Sequence, residues 1–202
     1  LDDAGNASMT ETWTVDVPDD WSEMYIVKDN LDGSDISGLS VYDVTTATQY
    51  TDVGGSWDVN LSRSEKAGKC GTFVDSDGAT ELCWGVGSSG THVYKVTYNM
   101  SNVVNAYTDG YDGFNQRFIN EGLSSEPDKI KITIEKPGTS FTSDDTKVWA
   151  FGFEGQINVT DGKIVAESSG EVNYCGVMVR FNDGIFSPAS TSEKSFSEVE
   201  SA

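Results

Sequence analysis

The sequence predicts an all-β protein, an antiparallel β-sandwich of about a dozen short strands, built as one body or as two stacked β-subdomains. Three observations carry that expectation. The 202 residues include 20 Val, 9 Ile and 18 Thr against 6 Leu and 10 Ala, and β-branched side chains suit a pleated sheet where Leu and Ala build helices. Apolar and polar residues alternate with a period of two in run after run. Gly, Asn and Asp punctuate those runs, and no long amphipathic helical pattern interrupts them.

The first strand is expected over residues 9–17, where Met9, Trp13, Val15 and Val17 take one face and Thr10, Thr12, Thr14 and Asp16 the other. Pro18-Asp19-Asp20 ends it, and an extended run over residues 21–28 carries Met24, Tyr25, Ile26 and Val27. Leu39 and Val41 alternate with Ser40 and Tyr42, then Gly54-Gly55 turns the chain into a run from Trp57 to Leu61. Cys70 and Cys83 flank the turn signal Asp75-Ser76-Asp77-Gly78. Symmetric closure on that turn sets the two cysteines directly opposite each other, within reach of a disulfide. Beyond a Gly/Ser loop over residues 85–90, a strand over 92–98 places His92, Tyr94, Val96 and Tyr98 on one face.

Residues 110–126 set Phe114, Phe118, Ile119 and Leu123 at near-helical spacing, which suggests a short helix or an irregular excursion. Ile130, Ile132 and Ile134 then alternate with polar neighbours, and strands follow over 148–154 and 156–160. Asp161-Gly162 closes a hairpin into residues 163–166, because this dipeptide tolerates the positive φ of a tight turn. The last long strand covers 172–181, with Cys175 on its apolar face beside Val177, Val179 and Phe181. There it is expected to behave as a small buried hydrophobe. Residues 189–202 hold five Ser and three Glu and read as a flexible linker.

Thirteen Lys and Arg against 33 Asp and Glu give a net charge of −20. That excludes a nucleic-acid binder of the usual kind, which needs a basic footprint, and it opposes direct docking on anionic lipid. Hydrophobic residues at 37% and aromatics at 11% suffice for a core. No apolar run approaches the roughly 20 residues of a membrane-spanning helix. The chain opens on Leu1 rather than Met, which reads as a trimmed piece or a mature product of a longer protein, so the missing leader says nothing about export.

His92 is the lone histidine, so any Ser-His-Asp or Cys-His pair must use it. Its place at the start of a strand reads as structural. A sortase-like trio of Cys175, His92 and Arg180 fails on its local pattern, since Val172-Asn173-Tyr174-Cys175-Gly176 lacks the Thr-Leu-x-Thr-Cys run. One His and three scattered Cys offer no zinc spacing, and no helix follows the Gly-rich loop to make a phosphate cradle. No cofactor is expected, with calcium as the candidate ion: Asp29, Asp32 and Asp35 crowd one loop as candidate ligands. Asp109, Asp112 and Asn115 crowd another as candidate ligand-binding residues. With 33 acids, a carboxylate pair for glycoside hydrolysis can be found anywhere and signals nothing. Trp13, Trp57, Trp84 and Trp149 fall inside apolar patterns, which marks them as core rather than as a sugar-stacking platform.

Several stretches together resemble a family. They are Thr12-Trp13-Thr14-Val15, Tyr94-Lys95-Val96-Thr97-Tyr98, Asn102-Val103-Val104 with Tyr107 and Asp109, and Asp112-Gly113-Phe114-Asn115-Gln116-Arg117-Phe118. Trp149-Ala150-Phe151-Gly152-Phe153-Glu154-Gly155 and Phe181-Asn182-Asp183-Gly184-Ile185-Phe186 complete the pattern. The chain is similar to an uncharacterised domain-of-unknown-function family of predicted bacterial membrane proteins, although Asn115 stands where a common variant has Trp. The resemblance implies an exported N-terminal β-domain at the cell surface, tethered to membrane segments beyond it. The expected organisation is one domain over residues 1–188, with a subdivision near residue 90, and the linker over 189–202. The expected role is non-enzymatic, a binding or architectural module with a cell-surface glycan or protein as partner. The alternatives are a carbohydrate- or peptide-binding envelope module using calcium and, further off, a glycosidase or transpeptidase. A Cys70–Cys83 disulfide would fit an oxidising compartment.

Overall fold

The computed structural model describes all residues except Asn30, Asp32, Gly122, Ser124 and Ser125. In chain order the strands are β1 (Ala7–Val17), β2 (Glu23–Lys28), β3 (Ile36–Asp43), β4 (Thr48–Gln49), β5 (Thr51–Asp52), β6 (Lys69–Val74), β7 (Thr80–Gly85) and β8 (Gly90–Met100). They continue as β9 (Asn105–Ala106), β10 (Asp112–Ile119), β11 (Lys131–Ile134), β12 (Thr146–Phe151), β13 (Gly155–Thr160), β14 (Lys163–Ser168), β15 (Cys175–Phe181) and β16 (Ser190–Thr191). Two short helices are α1 (Arg63–Lys66) and α2 (Phe196–Glu200). The fold is all-β and sandwich-like, with largely antiparallel sheets and no barrel.

The chain divides into two compact units. An early unit holds Ser8–Asp29 and Ile36–Met100; a late unit holds Leu1–Ala7, the described part of Asn30–Asp35, and Ser101–Ala202. The division falls after Met100 rather than near residue 90, because β8 hydrogen-bonds along β3 from Ile36↔Met100 to Asp43↔Tyr94. Cutting near 90 would sever that ladder.

In the early unit one sheet runs β1-β8-β3-β4 and the other β2-β7-β6-β5. Alternation along β8 buries His92, Tyr94, Val96, Tyr98 and Met100, as the sequence pattern requires. Trp84 from β7 meets Tyr94 from β8 with ring centroids 5.6 Å apart, which ties one sheet to the other in a geometry favoured by aromatic quadrupoles. Trp57 is buried in irregular chain rather than in a strand, and its Nε1 donates to Glu23 at 2.7 Å. Two lysines lie inside this unit, each with an acid: Lys28 with Glu11 at 2.9 Å and Lys66 with Glu23 at 3.1 Å. Lys66 also donates to the Val59 carbonyl at 2.7 Å, so its charge is compensated as burial demands. Gly85 makes room for α1, since a Cβ there would lie 2.1 Å from the Lys66 carbonyl oxygen.

In the late unit a five-stranded sheet runs β12-β15-β10-β9-β16, and a three-stranded sheet runs β11-β14-β13. Phe181 anchors an aromatic cluster with Phe114, Phe141 and Phe186, at centroid distances of 6.2, 5.2 and 4.8 Å. The Asp161-Gly162 hairpin forms as expected, with φ of 49° and 74° between the paired Thr160 and Lys163. The helix suggested within residues 110–126 is instead β10. Its register shifts between Arg117 and Ile119, and a bulge of this kind resets which face each side chain takes. Phe114 and Ile119, five residues apart, are therefore both buried, and that uneven spacing imitates a helical period.

Residues 189–202 are not a free linker in this structure. β16 pairs with β9, and Phe196 on α2 is fully buried, packed against Tyr107 at 5.0 Å and Trp149 at 5.9 Å. The buried Phe196 ring adds apolar packing to that strand pairing.

The Cys70–Cys83 bridge is also corrected. Asp75 caps a wider turn, its Oδ1 accepting from the Asp77 and Ala79 N–H groups at 2.9 Å each. The first pair is then Val74↔Thr80, which puts Cys70 opposite Trp84 and Cys83 opposite Gly71. A one-residue slip sends the two side chains to opposite faces of the sheet, and all three cysteines are free and buried. Burial pushes the Cys70 thiol up to about 11, with the Asp52 charge adding to it, and burial alone lifts Cys175 to about 12. Such thiols stay protonated and unreactive.

Candidate functional site

The end of β3 and the start of β8 place three polar side chains in line. Asp43 closes β3, and its Oδ1 accepts from the backbone N–H groups of Thr45 at 2.9 Å and Thr46 at 3.2 Å. An Asp at a strand end turns the chain this way because its short carboxylate reaches the N–H groups just ahead of it. The turn is held from the other side as well: Thr45 Oγ1 accepts from the Val93 N–H at 2.9 Å, and the Val44 N–H donates to the Val93 carbonyl at 2.8 Å.

With one oxygen committed to the turn, Asp43 Oδ2 faces His92 Nδ1 at 2.9 Å. Asp43 and His92 are 2% and 4% exposed. The His92 ring stacks on Tyr94, centroids 5.5 Å apart and planes 6° from parallel, so packing as well as hydrogen bonding fixes its orientation. A carboxylate only accepts, so His92 donates from Nδ1, and in the neutral ring that tautomer leaves the lone pair on Nε2. Ser88 Oγ lies 3.1 Å from that Nε2. Ser88 itself is exposed, on the Gly/Ser loop between β7 and β8. Chemically the arrangement is a hydroxyl, a base that can take its proton, and an acid that orients the base.

The sequence singled out His92 and missed its partners. Asp43 is one of 33 acids and Ser88 one of 24 serines. The available signal was modest: four residues separate Ser88 from His92 across a Gly-rich turn, and Asp43 ends an alternating strand. Cys175 and Arg180, the other members of the sortase-like trio, belong to β15 of the late unit. Five residues apart on one strand, they point to opposite faces.

Asp29 lies in the early unit and Asp35 in the late one, while Asp32 falls outside the described residues. Asp109 is spent on α2: Oδ1 accepts from the Phe196 N–H at 2.9 Å, and Oδ2 from the Ser197 N–H at 3.2 Å and hydroxyl at 3.1 Å. These bonds hold the Asp109 carboxyl below the usual range despite the opposing pull of desolvation. Asp112 is buried at the head of β10, whereas Asn115 is exposed; three apart in a strand, they point to opposite faces. Among the described residues no group of three His, Cys, Asp or Glu is placed to hold a metal ion. None of the five Trp is exposed, so they form no open stacking row. Gly155, Gln156, Glu167, Ser168 and Ser169 line a shallow depression in the late unit with one acid and no second catalytic group.

No helix among the described residues is long and apolar enough to cross a membrane. The chain matches no curated protein and no solved structure. Residues 1–181 match the family described as "Predicted membrane protein (DUF2207) N-terminal domain". The same match spans strands of both units, from β1 to the end of β15, and the chain therefore belongs to this family of predicted membrane proteins as its N-terminal domain.

Proposed function

We propose that this chain is the extracytoplasmic β-module of a membrane-anchored bacterial protein, where it presents a folded surface for binding or envelope architecture. The observation that carries the reading is the family match over residues 1–181, which identifies an N-terminal domain of predicted membrane proteins. A net charge of −20 supports it: an acidic coat keeps a tethered module off the anionic headgroups beside it. The partner is a cell-surface glycan or protein rather than nucleic acid or lipid, for the same electrostatic reason.

Topology is the test. In cells carrying the full-length gene, protease added to intact spheroplasts should digest this domain without disrupting the membrane. Complete protection until the cells are lysed would place the domain on the cytoplasmic side and overturn the reading.

A further inference from the structure

We propose that Ser88 is a base-activated nucleophile for acyl transfer, with His92 as its general base and Asp43 as the residue that positions the imidazole. The expectation of a non-enzymatic domain rested on a histidine without visible partners, and the Asp43–His92–Ser88 chain supplies them. This goes beyond the surface role proposed above and does not depend on which side of the membrane the domain occupies.

Four features of the early unit carry it. The two hydrogen bonds, 2.9 Å and 3.1 Å, connect acid, base and hydroxyl in the order that nucleophile activation needs. The Asp43 carboxylate is anchored by two backbone N–H groups, so it cannot swing away from the ring. Stacking on Tyr94 fixes the plane of the imidazole. Ser88 is exposed while its two supporters are buried, the division expected when the reacting atom must meet substrate and the proton acceptor must not drift.

The substrate class is a carboxylic ester that reaches Ser88 from solvent. The Ser88 hydroxyl gives its proton to His92 Nε2 as Oγ bonds to the carbonyl carbon, and the carbonyl oxygen takes the displaced electron pair. Collapse of that adduct breaks the bond to the alcohol oxygen, which leaves with the proton from Nε2. Water then attacks acyl-Ser88, passing a proton to Nε2. The Oγ–carbon bond breaks, Oγ recovers the proton, and a carboxylic acid departs.

The test uses the purified 202-residue chain with a fluorophosphonate probe, and p-nitrophenyl acetate as the ester. The expected result is one phosphonyl group per chain, mapped to Ser88, and a burst of nitrophenolate. Ser88→Ala, on an exposed loop, should keep the wild-type melting temperature and lose both signals. His92→Gln should slow labelling by about 100-fold or more, the usual contribution of a positioned base. Absence of label and burst in the wild type, label that survives Ser88→Ala, or wild-type labelling rates in a folded His92→Gln would each overturn the proposal. Should His92→Gln fail to fold, the wild type against Ser88→Ala decides. The outcome is independent of the spheroplast result.

Discussion

Asp112 lies buried at the head of β10 with Oδ2 lacking a hydrogen-bond partner among the described residues. Desolvation raises its pKa, the nearby Asp183 charge adds to the effect, and the Phe186 N–H offsets only part of it. A carboxyl whose folded-state pKa is raised disfavours the fold once it ionises, so it costs stability at neutral pH. Asp112→Asn keeps an oxygen for the Phe186 N–H and removes the charge. It should raise the melting temperature at pH 7 by about 2–4 °C, the shift that roughly 1 kcal/mol gives a chain of this size, with the gain vanishing in acid. Glu11 has the opposite sign. Burial pulls its carboxyl up, yet Lys28, the Tyr98 hydroxyl and Trp13 Nε1 outweigh that and hold it down. Its contribution is complete above the unfolded-state carboxylate range and drains away as pH falls through the folded-state value. Glu11→Gln removes the charged acceptor that Lys28, Tyr98 and Trp13 share and should cost about 2 kcal/mol at pH 7, less at acid pH, as denaturant midpoints would report. The sequence marks Asp112 as a candidate ligand rather than as a buried acid, and does not mark Glu11 at all. Glu11 shares the inward face with Trp13 and Val15, and a period-two pattern says which face a residue takes, not which partner waits there.

At the level of the element, alternation read β8, β11 and the β13–β14 hairpin correctly. The ladders of β11 and β13 with β14 are unbroken. The irregularity of the β3–β8 pair falls on β3, between Ser37 and Ser40, so β8 keeps its own phase. Alternation failed at β10, where a bulge changes phase, and at the Cys70 hairpin, where five turn residues rather than four move the register by one. That slip makes a prediction: a reducing agent should leave the melting temperature unchanged, whereas a Cys70–Cys83 bridge would give up about 2–4 kcal/mol on reduction. The carboxyl-terminal segment failed for a different reason. Composition averages over residues, and one Phe outweighs a run of Ser once a pocket of aromatics receives it. Phe196→Ala should therefore cost about 3–5 kcal/mol. Asp109→Ala, which frees the first N–H groups of α2, should cost about 1 kcal/mol. Both are measurable by urea titration. The base and acid of the Ser88 site were half visible: His92 stood out by being alone, and Asp43 was hidden by abundance.

For the molecule as a whole, 33 acids against 13 bases leave a net charge of −20, and its self-repulsion opposes the compact state. Screening lengths shrink from about 30 Å at 0.01 M salt to about 3 Å at 1 M, so added sodium chloride should raise the melting temperature by several degrees in differential scanning fluorimetry. A flat or falling response would mean that ion pairs such as Lys28–Glu11 dominate over the net field. The same scale holds the interleaving of the two units. The chain begins in the late unit, enters the early unit at Ser8, returns for Asn30–Asp35, and comes back for good at Ser101. Gly5 accepts from the Val104 N–H at 2.9 Å, and Asp3 accepts from the Ser187 N–H at 2.8 Å. The Gly5 carbonyl and the Asn6 side chain therefore find their distant partners only once the chain has passed its midpoint, and the Asp3 carbonyl only when it is nearly complete. Whether it leaves a ribosome or a translocation channel, the early unit can finish first, while the late unit must wait for its two ends to meet. No single cut separates the units into self-sufficient halves, and a protein arrested before residue 187 would lack the N–H group that donates to Asp3.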